Sequence, residues 1–109
     1  MELFGWWRRR NKKVKPVKYS GVKYLDTFSD LPATLKNSVY IIGTASRPKW
    51  VVFNCPDKCG HRVEVNLMKS KVPYWIAKIK GKKVSLQPSI VVNICHSHFY
   101  LVDNQVQWS

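Results

Sequence analysis

Three cysteines and three histidines in 109 residues fall into two short clusters, and these clusters constrain the chain more than any other feature. The first, 55-CPDKCGH-61, holds Cys55 and Cys59 at C-x3-C spacing, followed by Gly60 and His61. The second, 95-CHSHF-99, holds Cys95, His96 and His98. A chain of this length makes one domain with a modest core, and such domains gain most from an added tie such as a metal. Two ligands from one tight turn and two from another are how Zn2+ staples a small β domain. A glycine after Cys59 lets backbone amides turn toward the thiolates. The set Cys55, Cys59, Cys95 and His98 therefore predicts a tetrahedral, structural Cys3His zinc site with no open position. If residues 95–98 are extended, Cys95 and His98 face opposite ways, so this set requires a turn there. His61 is the reserve ligand, and His96 is left without a structural role, as a candidate partner contact. The plain alternative makes Cys95 a small buried hydrophobe.

The rest of the chain reads mostly as strands. Residues 39–44, 49–54 and 74–79 are short runs rich in β-branched and aromatic residues. RVEVNLM, 62–68, alternates strictly, as a half-buried antiparallel strand does. Pro88 breaks the run from Ser85 to Ile94, because proline lacks the ladder donor. FYLV–DN–QVQW has the form of a terminal hairpin. The expected fold is mostly β: a small zinc-ribbon-like antiparallel sheet domain with a basic N-terminal arm and a C-terminal hairpin. Its divisions are an arm at 1–23, a linker or short helix at 24–37, and a zinc-stapled β domain at 38–109.

Charge is concentrated in two blocks. The net charge is +13, and residues 1–23 and 55–83 supply nearly all of it. Such fields attract polyanions. Arg8, Arg9, Arg10, Lys12, Lys13 and Lys15 in the arm are candidate backbone contacts for RNA or DNA, with Lys71, Lys78, Lys80, Lys82 and Lys83 in the second block. Tyr74 and Trp75 sit among the latter, where an aromatic ring could stack on an unpaired base. Trp6 and Trp7 are candidate anchors for a protein partner. The odd cysteine count and the lack of a visible signal peptide point to a reducing compartment, the cytoplasm, or to a virion if the chain is phage-encoded.

Several motifs resemble a family of small, uncharacterised bacterial and phage proteins with a zinc-ribbon-like cysteine pattern. They are Trp50, Phe53, Cys55 and Pro56, then Cys59–Gly60, the strand Val63–Leu67, P-S-I at 88–90, C-x-S-H-F at Cys95–Phe99, and V-x-W at 106–108. The likeness covers residues 38–109. Some members are encoded beside bacterial ubiquitin-like conjugation systems, which implies a binding or adaptor role.

Carboxylates are scarce, and a cysteine nucleophile paired with His96 or His98 has no signature here. The expectation is thus a non-enzymatic, zinc-stabilised module that binds nucleic acid. The alternative is an adaptor or structural component of a multi-protein complex, of a ubiquitin-like pathway or of a phage.

Overall fold

A computed structural model describes residues 17–109. The arm residues Arg8, Arg9, Arg10, Lys12, Lys13 and Lys15, with Trp6 and Trp7, lie outside the described residues.

The chain forms two four-stranded sheets laid face to face. The first has the order β1-β2-β3-β4, from β1 (Val22–Leu25), β2 (Val39–Gly43), β3 (Pro48–Asn54) and β4 (Arg62–Asn66). The second has the order β5-β6-β7-β8, from β5 (Ile76–Lys80), β6 (Lys83–Val92), β7 (Ser97–Val102) and β8 (Gln105–Trp108). β1 runs parallel to β2, and every other neighbouring pair is antiparallel. The chain is mostly β, but the zinc-ribbon-like single sheet expected from the cysteine spacing is corrected to this two-sheet sandwich.

The core follows from period-two alternation. Val39 and Ile41 of β2, Val51 and Phe53 of β3, and Val63 and Val65 of β4 point into one cluster. There they meet Val84, Leu86 and Ile90 of β6, Phe99 and Leu101 of β7, and Val106 of β8. Phe53 is the joint: its ring meets Phe99 edge-on at 6.2 Å and Tyr19 at 5.3 Å.

β2 is buried along almost its whole length because its second face is also covered. Tyr40, Ile42 and Val52 pack under Leu35, with Leu25, Phe28, Leu31 and Trp50 around them. This cover comes from the segment expected as a linker, which contains a single 3-10 turn, Phe28–Asp30. The expected boundary between arm and linker falls inside β1. Just before that strand, Tyr19 is buried in the core and its amide donates to the Asn104 carbonyl at 2.8 Å.

Two backbone features shape the sheets. At the end of β2, Gly43 adopts φ 122° where the register with β3 shifts, and a Cβ there would lie 2.5 Å from the Arg47 carbonyl oxygen. No other residue type fits that position without movement. In β6 the register slips between Leu86, paired with Leu101, and Ile90, paired with Phe99. Four residues of β6 thus span two of β7, and the surplus forms a bulge at Gln87, Pro88 and Ser89. Proline at a bulge loses no ladder bond.

The outer face of the second sheet has no such cover. Ile76, Val91, Tyr100 and Val102 are all exposed along it.

Candidate active site

The 95–98 stretch divides between a turn and a strand. Residues 93–96 make the turn joining β6 to β7, with His96 in the left-handed region at φ 58°. From Ser97 the chain is extended, and alternation sends Ser97, Phe99 and Leu101 inward and His98, Tyr100 and Val102 outward. Cys95 and His98 therefore part company. Cys95 stays with the other thiols, while His98 projects onto the open face of the second sheet.

There His98 meets Ser89. The His98 Nε2 lies 2.8 Å from the Ser89 Oγ, an ordinary hydrogen-bond length. Hairpin register brings the two together. Val91 is paired with His98, and Ser89 lies two positions along β6 on the same side. That makes Ser89 and His98 diagonal neighbours on one face. The bulge places Ser89 at its edge, where proline and glutamine precede it without a regular ladder. The Trp75 indole Nε1 donates to the Ser89 carbonyl at 3.2 Å and holds the bulge from the β5 side. On the other side of His98, the Tyr100 ring lies 6.5 Å away, tilted by 31°.

Among the described residues His98 has no carboxylate partner. Asp103 is engaged by Ser85, Asp30 by the Thr27 amide, and Glu64 by Arg62. The arrangement is a hydroxyl–imidazole dyad, partly open to solvent. When Nε2 is unprotonated, the Ser89 hydroxyl donates to it, and the imidazole can take that proton as the oxygen attacks an electrophile.

Beside the dyad lies a groove of about 710 Å3, lined by Ile76, Lys78, Gln87, Pro88, Tyr100 and Val102 among others.

The thiols occupy a separate place at one end of the sandwich. The ligand atoms of Cys55, Cys59 and Cys95 all lie within 4.8 Å of one another. Cys55 and Cys95 approach to 3.5 Å, Ser97 Oγ lies 3.1 Å from the Cys95 Sγ, and His61 Nδ1 lies 3.4 Å from the Cys59 Sγ. These contacts link the loop after β3 to the turn after β6. His98 is not among them, which corrects its place in the expected ligand set. His61, the reserve, is the histidine that sits beside a cysteine. His96 is exposed on the turn.

The three thiols are unequal. Burial pushes the Cys55 thiol up to about 12, with the neighbouring sulfurs adding to the effect. The Ser97 hydroxyl beside Cys95 holds that thiol below its usual value. Reactivity follows the thiolate fraction and access. Iodoacetamide at mildly alkaline pH should therefore modify Cys95 well before Cys55, read by peptide mass mapping at successive times. Equal rates at the two positions would contradict the geometry.

The lysines of the second basic block, Lys71, Lys78, Lys80, Lys82 and Lys83, are all exposed. Nothing in the sequence pattern singled out Ser89. The available signal was the proline-broken strand in P-S-I followed nine residues later by a histidine, which becomes visible only once the hairpin register is known.

A mostly β frame that sets a serine hydroxyl against an imidazole on an open face holds the two groups that nucleophilic chemistry at serine uses. The chain belongs to the family described as "Bacterial ubiquitination-like system serine protease (BubE)", whose model matches residues 26–109. No curated protein and no solved structure matches it.

This membership corrects several expectations. The family is a named protease family, not an uncharacterised zinc-ribbon one. The chain is accordingly an enzyme, and the reading as a non-enzymatic nucleic-acid-binding module falls. Protein, not RNA or DNA, is what a protease acts on. The expected Zn2+ cofactor is corrected as well. Serine-protease chemistry runs on a hydroxyl nucleophile without a metal, and the fourth expected ligand, His98, is turned toward Ser89. Among the described residues no helix is long and apolar enough to cross a membrane.

Proposed function

We propose that Ser89 is the nucleophile and His98 the general base of a peptidase that cleaves protein substrates of a bacterial ubiquitination-like system. The 2.8 Å contact between the Ser89 Oγ and the His98 Nε2 carries this reading. The family description supports it and supplies the class of partner. Action within the cytoplasm accords with three free cysteines.

In the first step the Ser89 Oγ attacks the scissile carbonyl while His98 takes the hydroxyl proton. The tetrahedral intermediate collapses as His98 passes that proton to the leaving nitrogen, and an acyl-serine forms. In the second step His98 deprotonates a water that attacks the acyl group. The acid is released and the hydroxyl is restored. The Tyr100 ring flanks the imidazole at a centroid distance of 6.5 Å. Trp75 fixes the backbone from which the nucleophile projects.

The direct test uses a conjugate made by such a system. Incubation with the purified chain should yield two products whose masses exceed the conjugate by one water in total. A conjugate left intact, with the protein folded, would remove the reading. Trp75 gives a finer check. Trp75→Phe keeps the apolar ring but deletes the donor to the Ser89 carbonyl. It should lower kcat by about tenfold, the scale of one lost hydrogen bond, with KM little changed and the melting temperature nearly so. An equal fall in activity and stability would make Trp75 merely structural.

A further inference from the structure

The open groove beside the dyad has a composition that selects its occupant. On the outer face of the second sheet the outward rows run side by side: Ile76, Lys78 and Lys80 on β5, and His98, Tyr100 and Val102 on β7. Between them β6 presents Ser89 at one end and Ser85 and Lys83 at the other. The near end is apolar, with Ile76 56% and Tyr100 44% exposed. The far end is cationic, because Lys78, Lys80, Lys82 and Lys83 crowd the β5–β6 hairpin. No aspartate or glutamate occurs between Glu64 and Asp103. Asp103, which reaches the far end, has its carboxylate turned to the Ser85 hydroxyl at 3.3 Å.

Length sets the spacing. The bulge shortens Ser89–Ser85 to about the length of two β7 residues, and Lys83, paired with Lys80, lies two residues further on, so the lysine pair stands about 13 Å from Ser89 at the rise of an extended strand. An extended substrate lying along the groove covers that distance in four residues.

We propose that this groove is the specificity site of the enzyme and takes an extended polypeptide with a bulky apolar residue next to the scissile bond and acidic residues about four positions away. The apolar side chain covers Ile76 and Tyr100. The carboxylates meet Lys78 and the hairpin lysines. This rests on Ser89 being the nucleophile. The lysines that suggested a polyanion in the sequence thus read acidic side chains on a protein.

The test is a set of fluorogenic peptides with one apolar residue at the cleavage point and either two aspartates or two lysines four positions away, on each side in turn. The same protein samples are labelled with a serine-directed fluorophosphonate. Acidic peptides should show kcat/KM at least tenfold above their lysine counterparts, on one side of the bond only. The double variant Lys78→Glu, Lys80→Glu should reverse that order while still taking the label at Ser89. Ile76→Ser should reduce cleavage of every peptide and leave labelling intact. Equal cleavage of acidic and basic peptides by a protein that labels at Ser89 overturns the groove assignment and leaves the nucleophile standing. Absence of label at Ser89 overturns both.

Discussion

Ser89→Ala is expected to abolish most of the peptidase activity, by about 10^2–10^3-fold in kcat. Where a serine and histidine act with a carboxylate, removing either costs on the order of 10^6, and removing the carboxylate alone costs roughly 3 × 10^4. With no carboxylate on His98 among the described residues, the dyad starts lower and has less to lose, which sets the smaller figure. His98→Gln should lose as much as Ser89→Ala, because the hydroxyl is a poor nucleophile once nothing takes its proton. The double variant should be no worse than either single one, since the two groups act as a unit. The fold should not suffer. Ser89 and His98 stand on an outward face, and neither contributes to the core. A kcat assay on circular-dichroism-matched samples reads the result. Additive losses in the double variant would mean that the two residues do not share one step.

Phe53→Ala should give the largest change in stability. Phe53 has no exposed surface, and its ring bridges Tyr19 and Phe99, joining one sheet to the other. Truncating a buried phenylalanine to alanine costs about 3–5 kcal/mol. A domain of this length is stable by roughly 5–15 kcal/mol in all. The loss thus takes a large share of the total. Urea unfolding should show the midpoint falling with an unchanged slope. A loss under about 1 kcal/mol would mean that the sheets are joined elsewhere. Phe99 neighbours His98 on β7, so the same variant should lose activity at temperatures where the wild type is fully folded.

Parts of this molecule are legible in the sequence because they depend on local pattern. The alternation of RVEVN is enough to place Val63 and Val65 on one face, and both are buried in β4. The Asp103–Asn104 pair tolerates positive φ, and the structure gives φ 49° and 67° there. Other parts depend on pairing across the chain. The spacing C-x2-H invites Cys95 and His98 into one site, yet the turn ends at His96 and strand alternation sends His98 the other way. Ser89 gains its meaning only from the β6–β7 register and from a bulge that no local rule places. Asn66 is a third case. As a polar residue at the end of an alternating strand it looks ordinary. In the structure it is buried, and its side-chain Nδ2 shares its two hydrogens among the carbonyls of Met68, Lys71 and Pro73 at 3.2, 2.8 and 3.1 Å. It organises the loop leading to Trp75, and so the approach to the dyad. The lysine-rich hairpin is legible as charge, but its partner depends on which face carries the nucleophile.

The assignment of Ser89 as nucleophile is tested most directly by covalent capture. Treating the protein with a fluorophosphonate and mapping the adduct by tandem mass spectrometry should place it on Ser89, with displacement of fluoride. Labelling should fall sharply in His98→Gln and vanish in Ser89→Ala. An adduct on any other serine, or labelling of Ser89 at an unchanged rate in His98→Gln, would contradict the account.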